Sequence, residues 1–230
     1  MGTISSNDKN NLKSYIVFFD LDQTITRSIS GKALARCAFR EGLMSNIDLV
    51  KAIYLSLSFR LGLKDPAKII DEMVSWVKGI PETEMIELCI RVFNEVLRPS
   101  IYNEAITEIE YHKVNKAKVV ILSSSLRTVC EHMAESLSID DIICTELEVK
   151  NGIMTGNSPG HPCFGEQKAI RLRTYCEMNS SSPSNAWYYG DSISDLPALN
   201  AVGNPVCINP DKKLKKTARQ KEWKILYWKS

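Results

Sequence analysis

The chain has 230 residues, of which 44% are hydrophobic and 24% are charged. This ordinary globular composition excludes a mostly disordered chain, a collagen-like repeat and a disulfide-dense miniprotein. The 29 basic and 27 acidic residues leave a net charge of +2, which argues against nucleic-acid binding through the overall charge.

The first 13 residues are polar and lack the hydrophobic run of a secretory signal. No stretch of 18 apolar residues predicts a membrane-spanning helix. The seven cysteines are scattered and form no C-x-x-C pair, which favours free thiols over a zinc site or disulfides. We therefore expect a cytoplasmic protein with no stable membrane insertion and no nucleic-acid partner.

The run from Tyr15 to Phe19 is short, apolar and rich in β-branched and aromatic residues, which predicts a buried parallel strand. Residues 30–99 contain no convincing strand. They predict four helices, at about 31–44, 46–61, 66–78 and 82–97, and we expect the apolar stretch Leu49 to Leu63 to be buried. This pattern predicts an α/β core domain of residues 1–29 and 100–230, with residues 30–99 inserted as a helical cap domain.

The rest of the chain alternates between strand and helix patterns. Strands are predicted at Lys118–Leu122 and Ala186–Tyr189, and less strongly at Asp141–Cys144 and Pro205–Ile208. Helices are predicted at Tyr102–Asn115, Leu126–Leu137, Glu166–Met178 and Asp195–Asn200. Such alternation favours an α/β fold with a Rossmann-like parallel sheet. The basic segment Lys212–Lys221 is interpreted as a solvated helix, not a nucleic-acid or membrane patch.

Polar side chains follow three of the predicted strands. Asp20 and Asp22 follow the first strand, and such a buried carboxylate pair needs a compensating charge, for which Mg²⁺ is the natural source. Taken alone, the pair is also compatible with a turn or a helix cap. Ser123-Ser124-Ser125 follows the second and suits an anion, although helix capping is the simpler explanation of these serines alone. The third strand ends in Gly190-Asp191-Ser192-Ile193-Ser194-Asp195, and Lys168 lies near the start of a helix before it. Ligands bind at such strand ends in parallel sheets.

The order Asp-x-Asp-x-Thr, Ser, Lys and Gly-Asp-x-x-x-Asp resembles the four-motif signature of the haloacid dehalogenase-like superfamily. The resemblance extends over about Tyr15 to Ala218. The stretches GDSISDLPAL and TELEVKNGIMTG are similar to the phosphoserine-phosphatase-like branch, subfamily IB, in which a helical cap follows the first motif. The resemblance implies a Mg²⁺-dependent phosphatase that hydrolyses a small phosphomonoester through an aspartyl-phosphate intermediate.

The resemblance also implies roles for the acidic residues. Asp20 is expected to be the nucleophile, and Asp22 the general acid that protonates the leaving group and then the base that activates water. Mg²⁺ is expected to bind the carboxylates of Asp20 and Asp191 and the backbone carbonyl of Asp22.

The other motif residues are implied to bind phosphate or to support the site. Ser123, Ser124 and Lys168 are expected to hold the phosphoryl oxygens and spread their charge. Asp195 is expected to orient Lys168 or a metal-bound water. Thr24 is expected to brace the loop after the first strand.

The sequence leaves the substrate open. Ile29 stands about where phosphoserine phosphatases carry a glutamate, and Ser124 to Leu126 stand where glycines are usual. Phosphoserine, histidinol phosphate and other small phosphorylated metabolites are all candidates, and Arg27 favours an anionic leaving group. A phosphotransferase is a close alternative. A non-catalytic phospho-ligand module is a further one, although an acid at Asp22 has no purpose in it.

Overall fold

In the computed structural model of the protein, residues 15–61, 72 and 74–229 are described. The strands are β1 (Ile16–Phe19), β2 (Lys118–Leu126), β3 (Asp141–Thr145), β4 (Val149–Lys150), β5 (Ile153–Met154), β6 (Trp187–Gly190), β7 (Asn204–Ile208) and β8 (Lys224–Leu226). Six of them form one entirely parallel sheet in the order β3-β2-β1-β6-β7-β8, while β4 and β5 form an antiparallel pair. The predicted α/β fold with a parallel sheet is confirmed.

Helices lie between the strands. They are α1 (Ser30–Arg40), α2 (Asn46–Leu61), α3 (Glu82–Val92), α4 (Asn103–Val114), α5 (Arg127–Leu137), α6 (Glu166–Met178), α7 (Leu196–Ala201) and α8 (Lys212–Gln220). A π-helical turn at Phe93–Leu97 and a 3₁₀ turn at Arg98–Ser100 continue α3. The predicted helix at 66–78 lies mostly outside the described residues, which include a 3₁₀ turn at Ser75–Val77.

The central strand β1 is apolar at every position because both faces of the sheet are covered. Successive side chains of a strand point to opposite faces. Val17 and Phe19 accordingly belong to one buried cluster, and Ile16 and Phe18 to the other. Pairing of β1 with both β2 and β6 then places the end of β1 in the middle of the sheet edge.

The helices between β1 and β2 pack on only one of these two clusters. Leu34 of α1 and Leu88 of α3 are buried in the cluster that contains Phe19. The prediction that Leu49 to Leu63 is buried is only partly right for residues 49–55, where Leu55 is buried but Val50 and Ile53 are exposed. The side chains of residues 56–63 lie outside the described part of the chain. Apolar residues in the first ten positions of α2 lie on more than one face of the helix, so packing of one face leaves Val50 and Ile53 in solvent.

Two local features differ from the sequence prediction. The strand predicted to end at Leu122 continues to Leu126, with an irregularity between these residues, because Leu126 pairs with Thr145 of β3. The short strands β4, β5 and β8 were not predicted.

All seven cysteines are free and buried. Among the described helices, none is long and apolar enough to cross a bilayer.

Candidate active site

The ends of β1 and β6 bring the acidic residues of two sequence motifs together. Asp20 directly follows β1, and its backbone N–H donates to the carbonyl oxygen of Tyr189 in β6 (2.9 Å). Asp191 directly follows β6 and lies at the same edge of the parallel sheet. Both residues are more than 90% buried, so their carboxylates are largely removed from water.

Lys168 is the cation of this cluster. It lies in the first turn of α6 and is only 3% exposed. Its Nζ donates to Oδ1 of Asp20 (2.8 Å) and to Oδ1 of Asp195 (2.7 Å). A third contact, to the hydroxyl of Tyr188, is 3.1 Å long. One ammonium group therefore bridges two of the predicted site residues.

The carboxylates outnumber the cation. Oxygens of Asp20, Asp191 and Asp195 lie within 4.8 Å of one another. Burial raises the pKa of Asp20, although Lys168 opposes the shift, and burial with repulsion from Asp195 and Asp20 raises the pKa of Asp191 well above its usual value. Burial alone would lower the pKa of Lys168, but Asp195 and Asp20 together raise it well above its usual value. The cluster is short of positive charge.

This donor set fits a hard divalent cation. Mg²⁺ prefers carboxylate oxygens together with phosphate and water, and three carboxylates against one ammonium leave net negative charge for it to compensate. Among the described residues, Asp20, Asp191 and Asp195 form the group with metal-binding geometry. Lys168 contacts both Asp20 and Asp195, but Asp195 also accepts from the Tyr188 hydroxyl and the Ser192 backbone N–H, so that both of its oxygens are used. Asp20 and Asp191 are therefore the freer ligands.

Asp195 is held from several sides. Its Oδ1 also accepts from the hydroxyl of Tyr188 (2.8 Å), and its Oδ2 accepts from the backbone N–H of Ser192 (3.3 Å). Gly190 permits this close packing. A Cβ at that position would lie 2.8 Å from a ring carbon of Tyr188 and 2.9 Å from Cβ and Cγ of Asp195. Any side chain at 190 would therefore displace the partner of Lys168.

The carboxylate of Asp22 faces the start of the first helix. Its Oδ1 accepts from the backbone N–H of Ser30 (2.9 Å), and its Oδ2 accepts from the Ser30 hydroxyl (2.8 Å). Burial and the charge of Asp20 raise the pKa of Asp22 to about 7, although the two Ser30 hydrogen bonds oppose the shift. This shift brings the pKa of the Asp22 carboxyl group into the range in which it exchanges protons near neutral pH.

The serines after Leu122 are placed at the same edge. Ser123 is fully buried, and its hydroxyl donates to the hydroxyl of Ser125 (3.2 Å). Ser124 is half-buried. The Ser125 hydroxyl lies 2.7 Å from that of Ser30, so the serine segment at the end of β2 is joined to α1.

Two other predicted residues lie beside the first loop. Thr24 is fully buried, and its hydroxyl has no hydrogen-bond partner among the described residues. Arg27 is exposed, and its guanidinium group lies over the ring of Tyr102 and donates to the Pro99 carbonyl oxygen. These contacts hold Arg27 against the chain that leads into α4.

Sequence reasoning missed Tyr188 and Ser30. Tyr188 stands in an aromatic run that is typical of a buried strand, and nothing in that run marks a hydroxyl that reaches Lys168. Ser30 is a small polar residue at a predicted helix start, where capping is the ordinary expectation. The spacing of eight residues from Asp22 to Ser30 has no local signature, because the loop folds back on itself.

Comparisons with known proteins find a family model and relatives that match most of the chain. A family model described as haloacid dehalogenase-like hydrolase matches residues 17–200. A probable phosphatase of Mycobacterium tuberculosis is 29% identical, over 91% of this chain and 74% of that protein. A histidinol-phosphatase of Neisseria meningitidis is 26% identical, over 93% of this chain and 99% of that protein.

Solved structures share the fold. A protein of unknown function from Bordetella pertussis superimposes with a TM-score of 0.84 at 22% identity, covering 93% of this chain and 98% of that one. A phosphoserine phosphatase, solved as a phospho-aspartyl intermediate analogue, superimposes with a TM-score of 0.71 at 18% identity. It covers 93% of this chain and 92% of that one. The likeness extends over nearly the whole chain.

Proposed function

Because the chain belongs to the haloacid dehalogenase-like hydrolase family, we propose that it is a Mg²⁺-dependent phosphatase that acts through an aspartyl-phosphate intermediate. The observation that carries this proposal is the buried contact of Lys168 with both Asp20 and Asp195. A carboxylate beside a fixed ammonium is suited to attack a phosphoryl group whose oxygens carry negative charge. The substrate class is a small phosphomonoester.

The acidic residues would hold the metal. In this proposal the carboxylates of Asp20 and Asp191 and the backbone carbonyl of Asp22 bind Mg²⁺, whose charge stabilises the phosphoryl oxygens. The excess of buried carboxylates over cations supports this assignment. Thr24 is assigned to brace the first loop.

The reaction has two halves. A carboxylate oxygen of Asp20 attacks phosphorus while the bond to the leaving oxygen breaks, and Asp22 donates a proton to that oxygen, so that an alcohol departs. Asp22, now a carboxylate, then takes a proton from water, which attacks phosphorus and releases Asp20 with inorganic phosphate. A carboxyl group whose pKa is about 7 is matched to both steps near neutral pH.

We assign phosphate binding to one positively charged group and to several neutral hydrogen-bond donors. Lys168 and the hydroxyl and N–H groups of Ser123 and Ser124 would neutralise and orient the phosphoryl oxygens. Asp195 acts as a positioning residue, because it fixes the ammonium that Asp20 also contacts.

The leaving group is proposed from the relatives and from the inserted helices. Relatives named histidinol-phosphatase and phosphoserine phosphatase support a small phosphorylated metabolite. We assign residues 30–99 to a cap domain that selects among such metabolites. Seven buried free thiols support a reducing, cytoplasmic location, and neither a nucleic-acid nor a membrane partner is part of the proposal.

A panel of phosphomonoesters tests the proposed activity. We expect phosphate release from p-nitrophenyl phosphate and at least one of phosphoserine, histidinol phosphate and glycerol phosphate in Mg²⁺. EDTA should abolish release, and added Mg²⁺ should restore it, because the carboxylates need the cation. Turnover of no ester would overturn the proposal. Transfer of the phosphoryl group to an added alcohol faster than to water would favour the phosphotransferase instead.

Tyr188→Phe should lower kcat about tenfold, because the ammonium of Lys168 and the carboxylate of Asp195 both lose a hydrogen bond to the hydroxyl. Tyr189→Phe is the matched control. It removes another buried hydroxyl, whose partners His112 and Glu108 lie outside the site. Both variants should lose about 1–3 kcal/mol of unfolding free energy in urea. Equal kcat losses would show that the Tyr188 hydroxyl acts only on stability.

A further inference from the structure

Three serine hydroxyls connect the end of β2, where phosphate is proposed to bind, to Asp22. The hydroxyl of Ser30 has one hydrogen, which it donates to Oδ2 of Asp22. The contact between Ser30 and Ser125 must then have Ser125 as the donor. Ser123 in turn donates to Ser125, so the hydrogen bonds run in one direction from Ser123 to Asp22.

Ser30 is the serine of this chain that contacts Asp22 directly. It is only 2% exposed, and both its backbone N–H and its hydroxyl are used on Asp22, one on each carboxylate oxygen. Two donors on two oxygens fix the rotation of a carboxylate as well as its position. The backbone N–H belongs to the first residue of α1, so the start of the inserted helical segment sets the orientation of Asp22.

We propose that Ser30 is a positioning residue that aligns the carboxyl group of Asp22 for proton transfer to the leaving alcohol. This inference rests on the proposed function, because Asp22 needs alignment only if it acts as an acid and base. The contact with Ser125 gives the alignment a second anchor near the end of β2. When the one hydrogen of the Ser123 hydroxyl is donated to a phosphoryl oxygen instead of to Ser125, the contacts of Ser125 with Ser30 and of Ser30 with Asp22 remain.

A positioning role of Ser30 and a purely structural one differ in how the effect of a substitution depends on the leaving group of the ester. The leaving group of p-nitrophenyl phosphate is p-nitrophenolate, a stable anion that needs little help from a general acid. The leaving group of an alkyl phosphate is an alkoxide, which must be protonated. The ratio kcat/KM reports the steps up to departure of the alcohol, so it does not include hydrolysis of the phospho-enzyme. A misaligned Asp22 should therefore lower kcat/KM for alkyl phosphates much more than for p-nitrophenyl phosphate.

The experiment measures kcat/KM of wild type and Ser30→Ala with p-nitrophenyl phosphate and the fastest alkyl ester of the panel. We expect Ser30→Ala to lower kcat/KM for the alkyl ester about 10–100-fold, because one charge-assisted hydrogen bond to Asp22 is removed. For p-nitrophenyl phosphate, kcat/KM should fall less than about threefold. Ser30→Thr, which keeps a hydroxyl, should recover most of the loss. Ser28→Ala, in the same loop, should match wild type on both esters.

The outcomes separate the two proposals. Equal losses on both esters, no loss, or a gain with the alkyl ester would overturn the positioning role while leaving the phosphatase proposal in place. A wild-type protein inactive on every ester would overturn both. Thermal unfolding of each variant checks that the fold is kept. If Ser30→Ala does not fold, Ser30→Cys takes its place, because a thiol is a much weaker donor to Asp22 than a hydroxyl. It should lower kcat/KM selectively for the alkyl ester, and equal losses on both esters would overturn the positioning role.

Discussion

Asp20→Asn should abolish steady-state phosphate release, with a loss in kcat on the order of 10⁴–10⁶-fold. The amide oxygen is a poor nucleophile and cannot form the acyl phosphate that a carboxylate forms. The fold should survive, because asparagine has nearly the same shape and its side-chain oxygen still accepts from Lys168. Removal of one buried negative charge should leave the unfolding free energy unchanged or higher, since burial raises the pKa of Asp20.

The measurement uses p-nitrophenyl phosphate in Mg²⁺, with urea unfolding of the same protein. Asp141→Asn is the matched control, because Asp141 begins β3 at the opposite end of the parallel sheet from Asp20. That variant should keep wild-type kcat. Residual activity of Asp20→Asn above about 1% of wild type would reject Asp20 as the nucleophile.

The sequence predicts the fold well where strands are buried and apolar. The runs before Asp20 and before Gly190 are apolar because the strands are covered on both faces, and such runs are visible without knowledge of their neighbours. The edge strand β8 has only three residues, and a short run such as Lys224–Leu226 resembles an ordinary loop. The β4–β5 hairpin did carry a signal, because Asn151-Gly152 is a dipeptide typical of a two-residue hairpin turn.

The site is predictable only where its residues share a strand or helix end. Asp20, Asp191 and Lys168 each belong to a short pattern at such an end, and the parallel sheet brings these ends together. The contacts of Tyr188 and Ser30 depend instead on side-chain direction and loop path. Neither property has a sequence period, so these two residues became visible only in the structure.

Lys168→Met should both inactivate and destabilise the protein. Methionine fills nearly the same volume, so the main change is the loss of the cation among Asp20, Asp191 and Asp195. We expect a loss of about 3–5 kcal/mol of unfolding free energy at pH 7 in EDTA, because buried carboxylates are left uncompensated. The loss in kcat should be at least about 10³-fold, since one fixed charge on the phosphoryl group disappears.

The pH dependence identifies electrostatics as the cause. Without Lys168 the pKa values of Asp20 and Asp191 rise further, so these groups bind protons in the folded protein more readily than in the unfolded chain. Their contribution to stability is present at low pH and is lost as pH rises through the folded-state pKa values. The difference in unfolding free energy between wild type and Lys168→Met, called the stability gap below, should therefore shrink as pH falls from 7 towards 4.

Added Mg²⁺ should also narrow the stability gap at pH 7, since binding to the folded state stabilises it and the variant has the greater deficit of positive charge. Lys213→Met, on the exposed face of α8, is the control and should show no such difference from wild type at either pH. A stability gap that is equal at pH 7 and pH 4 and unaffected by Mg²⁺ would attribute the loss to packing. In that case the buried ammonium would not be the counter-charge of the acidic cluster.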